Sequence, residues 1–229
     1  MAITVYELLG ADDRRFSPYC WRTRMALAHK GLDAAYVPCR FTEKDRFAFA
    51  DYDRMPLMTD GESTVGDSWA IACYLEEAYP DRPSLFGGAI GKAEARFFNE
   101  WIATLSGPVM RMIVKDIFDR LDAADQPYFR ATREKRFGAT LEEMGARSHE
   151  ARPAFEAAAA PLRAVLAHQP FFCGEAPAYA DYIVFGTFQI ARSMSPLKLV
   201  EPGDALYDWR RRLLDLHGAL GRSTNAYRE

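Results

Sequence analysis

The chain has 229 residues, of which 49% are hydrophobic and 27% charged, and its formal net charge is −3. This length suits one large domain or two modest ones, and no apolar run approaches the roughly 18 residues that a membrane-spanning helix needs. The basic residues are scattered or mixed with acidic ones, which argues against a surface that holds nucleic acid. The composition therefore predicts a water-soluble protein, more readily of two domains than of one, that binds neither a membrane nor a nucleic acid.

The N-terminus and the cysteines bear on cellular location and redox state. The opening segment MAITVYELLG has neither a basic region nor a small-residue cleavage site, so we expect no signal peptide and a cytoplasmic protein. Cys20, Cys39, Cys73 and Cys173 form no CxxC pair and no cluster with histidine at the spacing of a zinc site. We expect reduced thiols and no bound metal.

The first 85 residues alternate between patterns typical of strands and of helices. We predict four strands, at residues 3–8, 34–39, 56–59 and 63–66. A helix is predicted at 18–31, with Ser17 as its N-cap and Gly31 as its C-cap. A second helix starts at Ser68 and is ended by Pro80. This order, β-α-β followed by β-β-α, is that of a thioredoxin-like domain.

The strand patterns disappear after the Gly- and Pro-rich segment 80–91, which reads as a linker. We predict five helices beyond it, at residues 92–120, 126–147, 153–168, 179–194 and 204–217. The first is expected to be interrupted at Gly107-Pro108. The fourth is apolar around most of its circumference, which predicts burial on all sides. The sequence thus predicts a thioredoxin-like domain at 1–85 followed by an all-helical domain at 92–229.

Residues 17–20 read SPYC at the start of the first helix, where a glutaredoxin has CPYC. Free N–H groups and the positive end of the helix dipole favour an anion at this place, and they lower thiol pKa values from about 8.5 toward neutrality. Because Ser17 offers a hydroxyl instead of a nucleophilic sulfur, we interpret this end of the helix as a site for a thiolate that arrives with a ligand. The alternative is that Ser17 only caps the helix.

Two further segments support a ligand at this place. Met55-Pro56 opens a strand that faces the helix N-terminus, where thioredoxin-like folds keep a cis proline, and the preceding residue can then pair with an extended peptide. An ordinary trans proline at a sheet edge is the alternative. Asp67 and Ser68 open the second helix with a carboxylate, a hydroxyl and free N–H groups, which suit a γ-glutamyl head group. Simple capping is again the alternative.

Taken together, four segments resemble the cytosolic glutathione transferase family over essentially the whole chain: SPYCWRTRMALAHKGL, RMPLMTDG, VGDSWAIACYLEEAYP and FFCGEAPAYADYIVF. The resemblance implies a thioredoxin-like glutathione-binding domain, an all-helical domain that contributes a hydrophobic substrate site, and a homodimer. It implies Ser17 as the catalytic residue that activates the thiol of the co-substrate glutathione. It further implies glutathione contacts from Arg54, Met55, Pro56, Asp67 and Ser68. Arg40 or Lys44 would reach the glycine carboxylate, and no motif chooses between them.

A narrower resemblance concerns the second substrate. The SPYxWR opening, Phe41-Thr42 and YADY at 179–182 are similar to the bacterial β-aryl etherase transferases and their fungal relatives, which act on or bind lignin-type aromatics. One departure is Ala178, which stands where the family usually has a Ser or Thr cap three residues before Asp181; either the cap comes from elsewhere or the helix is less stable by about 1 kcal/mol.

The second substrate is expected between the domains, where aromatic and polarizable side chains are available. The candidates that we name for contacts with it are Tyr19, Trp101 and Met112. The resemblance implies thiolate attack on an aromatic or otherwise apolar electrophile, in detoxification or in aromatic compound metabolism, with β-aryl ether cleavage as one form. Two alternatives stay open: a thiol-disulfide reductase that works through Cys20, and a non-catalytic carrier of aromatic ligands. Cys20 itself reads more readily as a small buried hydrophobic residue.

Overall fold

The computed structural model describes residues 3–227, so the outermost residues of the two predicted domains, 1–2 and 228–229, lie outside it. The strands are β1 (Ile3–Leu8), β2 (Ala34–Cys39), β3 (Leu57–Asp60) and β4 (Ser63–Gly66). The helices are α1 (Pro18–His29), α2 (Ser68–Ala78), α3 (Ala89–Asp119), α4 (Gln126–Phe137), α5 (Leu141–Ala146), α6 (Arg152–Leu166), α7 (Tyr179–Met194) and α8 (Ala205–Ala219). No helix among the described residues combines the length and the apolar character that crossing a membrane requires.

The strands form one mixed sheet in the order β2-β1-β3-β4. β1 pairs with β2 in parallel and with β3 in antiparallel register, so that Val5 lies beside both Tyr36 and Met58. The third strand begins at Leu57, one residue later than predicted, because Pro56 has no N–H to give to the ladder. The predicted fold, a thioredoxin-like half followed by a helical half, is confirmed.

Two of the predicted helices are wrong in where they are continuous and where they are broken. Helix α3 is not interrupted at Gly107-Pro108 but runs without a break through both residues. Its buried stripe, which includes Leu105 and Val109, stabilises the helix against the roughly 3 kcal/mol that an internal proline costs. The predicted helix at 126–147 is two helices, because Gly138 takes a left-handed conformation (φ 68°) that ends α4.

Helix α5 then starts with a capping box that the sequence pattern also contains. The hydroxyl of Thr140 accepts a hydrogen bond from the Glu143 N–H at 3.2 Å, and the Glu143 carboxylate accepts one from the Thr140 N–H at 2.8 Å. A Thr followed three residues later by Glu is a start signal for a helix. This signal is present in the sequence, but the prediction of one helix at 126–147 did not take it into account.

Helix α7 is the centre of the molecule, as its apolar circumference predicts. Fifteen of its residues are buried, and it packs against both α1 and α3. Gly186 faces the first turn of α1 so closely that an ideal Cβ there would overlap the Pro18 carbonyl oxygen and lie 3.1 Å from the Pro18 Cα. The side chains of Trp21 and Phe185 pack nearby, with ring centroids 6.3 Å apart. The helical half therefore fixes where α1 begins.

The start of α7 is held without a capping side chain at Ala178. The Tyr179 N–H donates to the Leu85 carbonyl at 2.9 Å, and the Asp181 N–H donates to the Ala178 carbonyl at 3.0 Å. The buried Asp181 carboxylate accepts from the Ala178 N–H at 3.1 Å and from the Trp209 indole N–H at 2.9 Å. The N–H groups at this helix start are thus satisfied by backbone carbonyls, that of Asp181 by Ala178 itself and that of Tyr179 by Leu85 from the segment before α3.

We expect Gly186→Ala to destabilise the protein by about 1–3 kcal/mol, the usual cost of overpacking a close contact. The added methyl group must push α1 away from α7, because the atoms it would meet belong to the Pro18 backbone and cannot rotate aside. Gly107→Ala is the matched control, since no atom lies within 4 Å of its ideal Cβ, and it should change stability by less than about 1 kcal/mol. Urea denaturation measures both, and equal effects of the two substitutions would contradict the contact.

Candidate functional site

A cleft of about 530 Å³ lies between the sheet domain and the helical domain. Ser17, Tyr19 and Met55 line it on the sheet side, and Met110 and Tyr128 line it on the helical side. The cleft therefore opens at the N-terminus of α1, which the contact with α7 holds in place. Most of the lining is apolar or aromatic, which is typical of a site for a small organic ligand.

Ser17 is the N-cap of α1, and its residue is only 4% exposed. Its Oγ accepts a hydrogen bond from the Cys20 N–H at a long 3.3 Å. A hydroxyl has two acceptor lone pairs and one proton, so this bond uses a lone pair and leaves the O–H to donate. Capping and ligand contact, which the sequence presented as alternatives, are compatible in this geometry.

Cys20 lies one turn inside α1 and is not an activated thiol. It is 3% exposed, and burial together with the nearby Glu7 carboxylate raises the pKa of its thiol to about 12. The pKa values of the Cys39, Cys73 and Cys173 thiols are also raised, in each case chiefly by burial. At neutral pH none of the four sulfurs is therefore the thiolate that disulfide exchange requires.

A buried ion cluster beneath α1 explains part of this effect, and it was not found from the sequence. The fully buried Glu7 carboxylate, on β1, accepts from Arg24 Nε at 2.6 Å and also contacts the Arg15 guanidinium. A charged group inside the core is normally paired, and this pairing ties β1 to α1. The only sequence signal is a glutamate at a buried position of the strand ITVYEL.

The second predicted segment lies at the same cleft. The Met55–Pro56 peptide bond is cis, and both Arg54 and Met55 line the cleft. Arg54 is exposed, and its Nε lies 3.6 Å from Asp53. The thioredoxin-like arrangement that places this dipeptide opposite the start of α1 is thus present.

Asp67 and Ser68 start α2 and do not line the cleft. The Asp67 carboxylate accepts from the Trp69 N–H at 2.9 Å and from the Ala70 N–H at 3.1 Å, which is simple capping. Ser68 is buried, and its Oγ has no hydrogen-bond partner among residues 3–227. The Ser68 carbonyl accepts from the Tyr179 hydroxyl at 2.6 Å, so α7 also positions this second helix start.

The two candidates for a carboxylate contact are placed differently. Arg40 does not line the cleft; its guanidinium pairs with Asp122 at 3.0 Å. Lys44 does line it and pairs with Asp53, also at 3.0 Å. Of the two cations, the structure brings only Lys44 to the cleft that contains Ser17.

The three residues predicted for the second substrate are also divided. Tyr19 lines the cleft and is 49% exposed. Met112 is 6% exposed within the core, and Trp101 packs edge-on against Phe98 at a centroid distance of 6.1 Å. Neither Trp101 nor Met112 lines the cleft, because α3 turns the face that carries Val109 and Met110 toward it instead.

Helix α4 supplies cleft residues that sequence reasoning missed, among them Tyr128, Arg133 and Arg136. The helix is anchored by the fully buried Asp125, whose carboxylate accepts from the Phe41 N–H at 3.0 Å and from the Thr42 N–H at 3.1 Å. These bonds join the start of α4 to the loop after β2. The sequence separation of more than 80 residues leaves no local signal of this junction.

Comparisons with known proteins agree with this architecture. The family described as glutathione S-transferase, N-terminal domain, matches residues 16–78, and the family described as glutathione S-transferase, C-terminal domain, matches residues 93–200. A probable glutathione transferase of Aplysia californica is 33% identical over 86 residues, which cover 37% of this chain and 94% of that relative. Glutathione S-transferase Z1 of Arabidopsis thaliana is 40% identical over 70 residues, 28% of this chain and only 31% of the relative's length.

Solved structures are similar over nearly the whole chain. Glutathione transferase GSTFuA3 of Phanerochaete chrysosporium has a TM-score of 0.82 at 24% identity, covering 93% of this chain and 96% of its own. The glutathione S-transferase CsGST63524 of Ceriporiopsis subvermispora, solved in complex with glutathione, has a TM-score of 0.78 at 21% identity, covering 95% of this chain and 96% of its own. At these identities the likeness shows the shared fold. The two matched domain families, in this order, and the relative matched along nearly its full length establish that the chain belongs to the glutathione S-transferase family.

Proposed function

We propose that this protein is a glutathione transferase in which the Ser17 hydroxyl stabilises the thiolate of bound glutathione for attack on an aromatic or otherwise apolar electrophile. The observation that carries the proposal is the position of Ser17: a hydroxyl at the N-terminus of a twelve-residue helix, lining an otherwise largely apolar cleft. Family membership supports glutathione as the co-substrate.

The energetics support activation by this group. A hydrogen bond to a charged acceptor contributes about 1.5–3 kcal/mol, which corresponds to a thiol pKa lowered by about one to two units. The positive end of α1 adds to this effect within its first turn. The two contributions suffice to make the bound thiol ionised near neutral pH.

Glutathione would lie extended along the sheet domain. In this proposal Met55 pairs with its backbone, and Asp67 and Ser68 at the start of α2 receive the γ-glutamyl group. The unpartnered Ser68 Oγ is consistent with a hydrogen bond that the free protein does not make. Lys44 takes the place of Arg40 as the contact for the glycine carboxylate, because Lys44 lines the cleft and Arg40 does not.

The reaction is a displacement at carbon. The sulfur electron pair of the thiolate forms the new S–C bond, and the bond from that carbon to the leaving group breaks with its electron pair on the leaving group. For a β-aryl ether the leaving group is a phenolate, which takes a proton from water. The aromatic part of a β-aryl ether or of another aromatic electrophile would contact ring and thioether groups that line the cleft, those of Tyr19, Phe41, Met110 and Tyr128.

The finer assignments are part of the same proposal. Conjugation and β-aryl ether cleavage use one nucleophile and differ only in the leaving group. A non-catalytic carrier would bind the same aromatics without consuming glutathione. The expectations of a homodimer and of a cytoplasmic location stay predictions.

Ser17→Ala is expected to lower kcat near neutral pH by about 10- to 100-fold, because the bound thiol loses the one to two pKa units that the hydrogen bond supplies and less of it is ionised. The pKa of bound glutathione should rise toward its value in water, because the donor is gone, while the KM for glutathione changes little. The thiolate absorbance measured against pH reads the pKa directly. Ser17→Thr keeps both the hydroxyl and the cap, and it should keep the lowered pKa; unchanged turnover in Ser17→Ala would assign activation to another group.

Cys20 is expected to resist labelling in the folded protein. Because its thiol is buried and its pKa is about 12, iodoacetamide at pH 8 should modify it only after unfolding in urea. Incubation with oxidised glutathione should yield no mixed disulfide at this residue, as mass spectrometry of the tryptic peptides will show. A glutathione adduct on Cys20 in the native protein would instead support the thiol-disulfide reductase alternative.

One experiment separates ether cleavage, conjugation and non-catalytic carriage. It measures turnover of a β-aryl ether and of a standard aryl halide while the glutathione concentration is varied. We expect saturation in glutathione and release of one phenol for each glutathione consumed if the ether is cleaved, since the displacement is stoichiometric. Turnover of the halide alone limits the activity to conjugation. Tight aromatic binding with no glutathione consumption by either compound would leave the carrier.

A further inference from the structure

Arg133 on α4 lines the cleft without a carboxylate partner anywhere in residues 3–227. One of its terminal nitrogens donates to the Thr132 hydroxyl at 3.0 Å, and its Nε is buried with no partner at all. Arg130, one turn earlier on the same helix, shows the usual arrangement: it pairs with Glu134 at 2.7 Å and with Glu142 at 2.8 Å. A partly buried guanidinium that lacks a counter-ion is costly unless something else binds it.

The guanidinium is held in place by aromatic rings. Its carbon lies 4.6 Å from the centroid of Phe129 and 5.6 Å from that of Phe41. The Phe41 backbone is fixed in turn, because Asp125 binds the N–H groups of Phe41 and Thr42, and the Phe41 ring packs against that of Phe129 at a centroid distance of 6.0 Å. Stacking on a ring restrains a guanidinium while leaving its N–H edges free to bind a ligand. Arg133 is therefore pre-organised rather than a mobile surface cation.

The charges that line the cleft also favour an anionic ligand. The lining of the cleft contains one carboxylate, Asp53, and four cationic side chains: Lys44, Arg54, Arg133 and Arg136. The cleft thus has a formal excess of three positive charges in a chain whose net charge is −3. Asp53 lies beside Lys44 and Arg54, on the sheet side. Burial, together with the like charge of Arg136, lowers the pKa of Arg133. The helical side of the cleft thus holds positive charge that no described residue neutralises.

We propose that Arg133, with Arg136 beside it, binds a carboxylate on the second substrate, so that the electrophiles this protein takes are aromatic acids. The inference rests on the proposed function, because it names the substrate class of the same cleft. The carboxylate would lie against the N–H edge of Arg133, and the aromatic ring would lie against Phe41 and Tyr128, whose centroids are 5.7 Å apart. A planar fork of donors suits a carboxylate better than a point charge does.

The first experiment compares two electrophiles that differ in charge, a chlorodinitrobenzoate and its methyl ester, each corrected for its uncatalysed reaction with glutathione. Arg133→Met keeps the length of the side chain and removes its charge. We expect it to lower kcat/KM for the acid by about 10- to 100-fold, the range for a hydrogen-bonded charge pair, and to change that for the ester by less than about threefold. Arg133→Lys should restore part of the loss, since it returns the charge without the fork.

Arg130→Met is the matched control, since Arg130 lies on the same helix and outside the lining of the cleft. It should leave the ratio of acid to ester turnover unchanged. Equal effects of Arg133→Met on both electrophiles would overturn the inference. So would an effect confined to the KM for glutathione, which would assign Arg133 to the co-substrate.

A binding measurement keeps the inference testable if the proposed function fails. Should neither electrophile be turned over, titration calorimetry with naphthoate and with the uncharged naphthamide still compares the two ligand classes. The inference predicts that the wild-type protein binds naphthoate at least tenfold more tightly than naphthamide, and that Arg133→Met removes the difference. Equal affinities in the wild-type protein would overturn it. Loss of turnover with retained preference for naphthoate would contradict only the transferase proposal.

Discussion

The contact between Gly186 and the first turn of α1 is the constraint on which the site depends. It places the backbone of a helix that is buried on nearly every side directly against Pro18, the residue after Ser17. Helix α7 is in turn fixed at its start by the buried Asp181 carboxylate, which also holds the Trp209 indole. The position of the helix N-terminus, and with it the field that favours an anion, is therefore set by the helical half of the chain rather than by the sheet that carries it.

The first turn of α1 stabilises negative charge at Ser17 and disfavours it at Cys20. At Ser17 the helix end opens into the cleft, so the dipole and the hydroxyl stabilise negative charge brought by a ligand. At Cys20 burial dominates, and the Glu7 carboxylate below it adds repulsion, so negative charge is disfavoured. The protein thus has a hydroxyl, that of Ser17, where a CPYC motif has its first thiol, and the thiol that remains, that of Cys20, is not ionised at neutral pH. The local electrostatics therefore favour a thiolate on a bound ligand at Ser17 over a thiolate on the protein's own Cys20.

The sequence predicted the elements well because their signals are local. Pro18 after Ser17 marks a helix start, and the all-round apolar pattern at 179–194 marks a buried helix. The failures were of three kinds. The single helix predicted at 126–147 overlooked local signals, the Gly138 that ends α4 and the capping box that starts α5. At Gly107-Pro108 tertiary burial stabilises a helix that local propensity would interrupt. The contributions of α4 to the cleft depend on the bonds from Asp125 to the loop after β2, a contact between distant parts of the chain that no local pattern encodes.

Charge balance links the two proposals. Glutathione with an ionised thiol carries two carboxylates, one thiolate and one ammonium group, and the ammonium and one carboxylate belong to the γ-glutamyl end, which we place at Asp67 outside the cleft. The thiolate and the glycine carboxylate then bring two negative charges to a cleft lined by an excess of three positive ones. One positive charge is left over in total, and the two cations without a carboxylate partner among the described residues, Arg133 and Arg136, both lie on α4, away from the sheet side where Lys44 and Arg54 meet Asp53. Since buried or partly buried charge is stable only when paired, a carboxylate on the second substrate completes the balance that glutathione alone leaves open.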